Sequence, residues 1–154
     1  MRVRILAVGT RKPEWVISAY EDYTQRLKKS MRVDLEELPI SKDASRDRSR
    51  AKADEQARLL TRAGDDYLVA LDEHGKSLTT VELSRWLAER LQDGRNLCFV
   101  IGGPDGLGPE ILKKAALRWS LSGLTFPHAM VRVILAEQLY RAHSVLHNHP
   151  YHRE

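Results

Sequence analysis

Residues 97–108 read Leu-Cys-Phe-Val-Ile-Gly-Gly-Pro-Asp-Gly-Leu-Gly. The first five are a short apolar run of the kind a buried strand presents. The remainder is a turn that holds Gly102, Gly103, Gly106 and Gly108, four of the chain's nine glycines. Glycine permits positive φ and lets a ligand or another segment approach the backbone closely. Pro109-Glu110 follow, a proline at a first helical position and an acid near the positive end of a helix dipole. Strand, glycine turn and helix in this order place the turn at the carboxyl end of a strand, where open α/β sheets receive ligands. A plain strand-to-helix connection accounts for the same residues, so the turn by itself leaves both readings open.

Upstream, Tyr67-Leu68-Val69-Ala70-Leu71 is continuously apolar, the pattern of a strand covered on both faces. Asp72-Glu73-His74-Gly75-Lys76 then reads as a turn. Thr79-Thr80-Val81-Glu82 is a capping-box signature. It opens a helix carrying Val81, Leu83, Trp86, Leu87 and Leu91 and ending at Gly94. Further back, residues 2–8 alternate into a strand that turns at Gly9. Pro13 opens a helix to about residue 29, with Trp15, Val16, Ala19, Tyr20, Tyr23 and Leu27 on one face. Residues 32–38 form a second strand before Pro39. Residues 41–50 carry Lys42, Arg46, Arg48 and Arg50 with Ala44 as the lone apolar residue. They read as a polar loop entering a helix over 47–62, with Leu59 and Leu60 facing inward. This loop is either a solvated face or a basic segment that touches phosphates. Strands alternating with helices predict a parallel α/β sheet.

Downstream, the helix from Pro109 runs to about residue 116. Leu121-Ser122-Gly123-Leu124-Thr125-Phe126-Pro127-His128 reads as a last strand giving way to a loop. A long helix spans about 129–147. Its apolar positions (Met130, Val131, Ile134, Leu135, Leu139, Ala142, Val145, Leu146) cover an arc of roughly 180°, wider than a single core requires. That breadth predicts a second partner for the helix, namely another subunit.

The chain has 154 residues, 42% of them apolar and 30% charged, an ordinary globular composition for one domain. No run approaches the ~20 apolar residues of a membrane span. Residues 1–5 enter strand-like alternation at once, so no signal peptide is expected. The one cysteine, Cys98, lies in an expected core strand, and a cytoplasmic location follows. Residues 63–112 carry a net charge of −5, and residues 113–154 carry +4. A basic segment beside an acidic one suits a protein that holds a small cofactor and meets a polyanion.

The glycine spacing does not match a dinucleotide fingerprint, and Pro109 stands where a P-loop needs its lysine. His143, His147, His149 and His152 crowd the last twelve residues, but without Asp or Cys nearby no metal is expected. What remains is a backbone-lined pocket made by Leu71, the glycine turn and residues 121–126. Its apolar and glycine-rich walls suit a nucleoside cofactor without a polyphosphate.

Four blocks now stand together: Ile-Gly-Gly-Pro-Asp-Gly-Leu at 101–107, Leu-Thr-Phe-Pro-His at 124–128, Val-Arg-Val-Ile-Leu-Ala-Glu-Gln-Leu-Tyr-Arg-Ala at 131–142 and Asn-His-Pro-Tyr-His-Arg-Glu at 148–154. With Leu-Ala-Val-Gly-Thr at 6–10, they closely resemble the bacterial ribosomal large subunit RNA methyltransferase H family along the whole chain. The resemblance implies a single SPOUT-class α/β domain over 1–154, a parallel sheet flanked by helices with a C-terminal trefoil knot. Periodicity cannot show a knot, and knots are rare among folds. The resemblance further implies a homodimer that uses S-adenosylmethionine to methylate N3 of a pseudouridine in a stem-loop of 23S rRNA. With little room for an added RNA-binding domain, the expected target is the assembled ribosome. Carried over by position, the cofactor contacts are Leu71, Gly102, Leu121, Ser122, Gly123 (through its main chain), Leu124, Thr125 and Phe126.

For the chemistry, the expectation falls on the tail. Arginine stays protonated and cannot be the base, but it can hold an oxygen that gains negative charge. A histidine near its ordinary pKa of about 6.5 can accept a proton at pH 7. His152 is the expected base, Arg153 the anion stabiliser and Tyr151 the positioning group. The competing readings are a non-catalytic RNA-binding dimer and a methyltransferase of related fold that acts on tRNA.

Overall fold

The structure is a computed structural model that describes residues 1–10 and 12–153. Arg11 and Glu154 lie outside the described residues, so the last position of the 148–154 block is not compared. The elements are β1 (Arg2–Val8), α1 (Glu14–Leu27), β2 (Arg32–Leu38), α2 (Arg48–Ala63), β3 (Tyr67–Ser77), α3 (Thr80–Asp93), β4 (Leu97–Ile101), α4 (Pro109–Lys114), β5 (Leu117–Ser120), α5 (His128–Leu146) and a 3-10 turn at Pro150–Arg153.

The five strands form one sheet in the order β2-β1-β4-β3-β5, with every pairing parallel. Alternate residues of β1, β3 and β4 feed two cores. Val3, Ile5, Ala7, Val69, Leu97, Phe99 and Ile101 pack under α1, α3 and α5. Leu6, Val8, Leu68, Ala70, Cys98 and Val100 pack under α2 and α4. A sheet covered on both faces explains why β3 and β4 read as unbroken apolar runs. Cys98 is fully buried, and burial pushes its thiol up to about 12, so it is a small hydrophobe here.

The local signals mostly hold. Thr79 caps α3 by accepting from the Glu82 N–H at 3.1 Å, while the Glu82 carboxylate accepts from the Thr79 N–H at 3.2 Å. Gly94 closes α3 in the left-handed conformation, φ 76°. Asp47 caps α2 by accepting from the Arg50 N–H.

Several expectations need correction. The last strand is not in 121–128 but just before it, at Leu117–Ser120. Four residues with Arg118 in the middle are too short and too polar to give a period. Trp15, Val81 and Leu91 lie on exposed helix surface rather than in the core, Trp15 with 54% of its area open. Residues 72–76 are not a turn ending a strand, because β3 continues to Ser77. Leu71 and Lys76 both pair with Trp119, so residues 72–75 are looped out of the ladder. Gly75 is required where the chain returns, since a Cβ there would lie 2.6 Å from the Arg118 carbonyl carbon.

The breadth of the apolar arc on α5 is used partly within this chain. The helix packs against both α1 and α3 and buries Leu135, Ala136, Leu139 and Ala142. Its start is tied to the far side of the sheet from β5. His128 Nε2 donates to the Val8 carbonyl at 2.6 Å, and Arg132 Nη2 donates to the Gly9 carbonyl at 2.7 Å. Residues 121–127 therefore cross over the carboxyl ends of β3 and β4 to reach the end of β1.

Candidate active site

That crossing closes a cavity of about 190 Å³ over the carboxyl ends of β3, β4 and β5. Three segments build it. β3 brings Leu71 and, from its looped-out stretch, Asp72 and Glu73; the end of β4 and the glycine turn bring Ile101, Gly102 and Gly106; Trp119 and the crossing segment close the third side. Of the eight residues expected at the cofactor, Leu71, Gly102, Leu121, Ser122, Leu124, Thr125 and Phe126 line this one cavity. Gly123 does not; a side chain there would meet nothing within 4 Å.

The turn is shaped by close approach. A Cβ on Gly102 would lie 2.6 Å from the Gly106 carbonyl carbon and 2.7 Å from its oxygen. Gly106 itself adopts φ 77°, and its N–H donates to the Gly103 carbonyl at 3.0 Å. Gly103 and Gly108 lie tight against Glu55 and Gln56 of α2. Glu55 is buried and accepts from the Ser41 N–H at 3.0 Å, which fixes the end of the basic loop beside the turn.

The walls are apolar with few polar groups. Asp72 is held by Arg118 at 2.8 Å. The crossing is braced internally: the Ser122 hydroxyl accepts from the Leu124 N–H at 3.0 Å, and the Ser120 hydroxyl donates to the Ser122 carbonyl at 3.0 Å. Leu124 projects outward, 73% exposed. The indole N–H of Trp119, on the pocket wall, is buried with no hydrogen-bond partner among the described residues. Apolar walls with glycine backbone at close reach suit a nucleoside ligand.

None of the three tail residues lines this cavity in its own chain. Tyr151 packs on α5 and α1, its ring 4.6 Å from Tyr140 and 6.5 Å from Tyr23. Its hydroxyl donates to Glu137 at 3.1 Å, and Arg141 stacks over the ring at 4.8 Å. Burial, then Tyr23 and Glu137, push its pKa well above the ordinary tyrosine value, so it is a proton donor and not a base. His152 Nδ1 lies 2.6 Å from the His149 carbonyl. A carbonyl only accepts, so Nδ1 donates here, and Nε2 is the ring nitrogen outside this bond. Arg153 is exposed at the end of the 3-10 turn.

Sequence reasoning passed over Arg132. It is fully buried, reaches Gly9 and lies 3.6 Å from Glu37, with Nε and Nη1 unpartnered among the described residues. Burial pulls its pKa down and Glu37 opposes this. An arginine inside Val131-Arg132-Val133-Ile134 was the available signal, since a charge in an apolar helix face is costly unless paired. Asp72 was also passed over; only the looped-out register of β3 brings it to the rim.

Near the end of α5 the His143 and His147 rings lie 4.3 Å apart. Among the described residues no group of three or more metal-ligating side chains comes together. Burial first, then the charges of His147 and His149, lower the His143 pKa. The folded pKa thus lies below the unfolded value, so the unfolded chain binds the proton more readily. Stability is full above pH ~6.5 and is lost as pH falls through the folded pKa. Thermal melts from pH 7.5 to 5.5 should show a steeper fall for the native chain than for His143→Phe; parallel curves would contradict this.

With the fold and pocket described, the class follows. The model of one family, described as Predicted SPOUT methyltransferase, matches residues 1–152. A probable methylase family protein from Haemophilus influenzae Rd KW20 shares the fold with TM-score 0.60 at 17% identity, covering 96% of this chain and 69% of that one. The Ribosomal RNA large subunit methyltransferase H of Alkalilimnicola ehrlichii is 49% identical over 154 residues, covering 99% of both chains. The protein of the same name from Methylobacillus flagellatus is 49% identical over 155 residues and the full length of both. The chain belongs to the ribosomal RNA large subunit methyltransferase H family of SPOUT methyltransferases.

Proposed function

We propose that this methyltransferase uses S-adenosylmethionine to methylate N3 of a pseudouridine in a stem-loop of 23S rRNA, on assembled ribosomes in the cytoplasm. The observation that carries the reading is the convergence of seven of the eight expected cofactor residues on one apolar, backbone-rich pocket. The name its relatives carry supports an rRNA target. Among the described residues no helix is long and apolar enough to cross a membrane.

Bound there, the cofactor supplies an electrophilic methyl group on a sulfonium sulfur. Leu71, Gly102 and residues 121–126 would hold it, Gly123 through its main chain. Nε2 of His152 would accept the N3 proton of the pseudouridine, so that the nitrogen keeps the electron pair that takes up the methyl group the cofactor would supply. Arg153 holds the pyrimidine oxygen that gains charge, and Tyr151, fixed on Glu137, positions the tail.

Because the tail lies away from the pocket of its own chain, the working unit is a homodimer in which one subunit's tail serves the other's pocket. The exposed Trp15 of α1 fits such an interface. The crossing of 121–127 from the β5 edge to β1 is read as the closing pass of a trefoil knot within one domain over 1–154. Calorimetry should show one S-adenosylmethionine site per chain. No binding would overturn the reading and favour a non-catalytic RNA-binding dimer.

A further inference from the structure

We infer that the start of α2, with Arg48 and Lys52 at its centre and Lys42 and Arg46 on the loop before it, is the surface that grips the RNA backbone beside the pocket. The inference rests on the proposed RNA substrate. Three observations carry it.

The first is pairing. Most basic side chains of β1, β2 and α5 have carboxylate partners: Arg2, Arg4, Arg32, Arg132 and Arg141 are examples. Lys42, Arg46, Arg48 and Lys52 fall within eleven residues and have none among the described residues, although Asp43, Asp47 and Asp54 are close in sequence. Arg50, by contrast, is turned to Asp43 at 3.5 Å.

The second is placement. Arg48 and Lys52 are one helical turn apart on one side of α2. Arg48 lines a groove with Pro104 and Asp105, and Lys52 lines another with residues 103–107 of the glycine turn. The Lys52 groove shares Leu71, Asp72, Glu73 and Gly106 with the cofactor cavity. A strand lying along these cations therefore passes directly beside the pocket. Rigid attachment comes from Glu55 and Gln56, which pack one turn further along α2 against Gly103 and Gly108.

The third is that Arg48 and Lys52 stand on α2 without electrostatic support from it. α2 has no acid in its first turn; Arg48 and Arg50 stand there instead, where the helix dipole disfavours cations. Like charges four apart also repel. Phosphates neutralise both effects, and on the rim they would cross Asp72 is already paired with Arg118.

The test measures binding to 70S ribosomes that carry the pseudouridylated but unmethylated 23S rRNA stem-loop, across a salt series, so it does not depend on methyl transfer. Arg48→Gln/Lys52→Gln is expected to weaken RNA binding about tenfold or more and to flatten the slope of log affinity against log salt by about 1.4–1.8, near 0.7–0.9 for each phosphate no longer neutralised. Arg85→Gln, an exposed cation on α3 across the sheet, should change binding less than twofold. Melting temperature and S-adenosylmethionine affinity report folding. Unchanged RNA affinity and salt slope in the double variant, or equal losses in Arg85→Gln, would overturn the inference. Failure of the proposed reaction would show differently, as native protein that binds the RNA with the expected slope yet transfers no methyl group to any RNA.

Discussion

Gly102→Ala is expected to weaken S-adenosylmethionine binding by roughly tenfold to a hundredfold, as calorimetry would read it. The new Cβ would sit 2.6 Å from the Gly106 carbonyl carbon, a clash with backbone that no rotamer change relieves. The turn has to open, and overpacking of this kind costs about 1–3 kcal/mol. That distortion falls on the pocket wall that Gly102 and Gly106 form. Gly123→Ala is the contrast. Its Cβ meets nothing within 4 Å and its main chain stays available, so cofactor affinity should change by less than about threefold. Equal binding by the native chain and Gly102→Ala would remove the glycine turn from the site.

His152→Ala and Arg153→Ala should each lower the methyl-transfer rate about a hundredfold or more with cofactor affinity unchanged, the usual scale for removing an acid–base or anion-stabilising group. Neither residue touches its own chain's pocket, which gives a sharper version of the test. Arg153→Ala supplies a sound pocket without a working tail, and Gly102→Ala supplies the reverse. After subunit exchange in an equal mixture, half the dimers are mixed, and each has one complete site. Activity should recover to about a quarter of native in a symmetric two-fold assembly. No recovery would place the tail's action within its own chain or outside catalysis.

Much of the frame was legible because period and punctuation agreed. β1 and β4 announced themselves by alternation and by a closed apolar run; Thr79 and Glu82 marked α3, and Gly94 ended it. β5 was not legible, since four residues carry no period and Arg118 breaks the apolar run. The looped-out 72–75 read as a turn because its composition is that of a turn; only pairing with Trp119 shows the strand resuming beyond it. Trp15 read as core because a helical face says which residues align, not which face is covered. The pocket was legible through motif resemblance at Leu71, Gly102 and 121–126, and its physical cause, a crossing from one sheet edge to the other side, is a long-range fact that no local pattern carries. The separation of Tyr151, His152 and Arg153 from that pocket is equally long-range.

The central claim is methyl transfer to one pseudouridine of 23S rRNA. Labelled S-adenosylmethionine should be offered with 70S ribosomes, isolated large subunits, protein-free 23S rRNA and bulk tRNA from cells lacking this protein, and the labelled RNA digested and read by mass spectrometry. A single N3-methylated pseudouridine in 23S rRNA, absent when that uridine has not been isomerised, is the predicted result. Label confined to tRNA, or no label in any RNA, would contradict it.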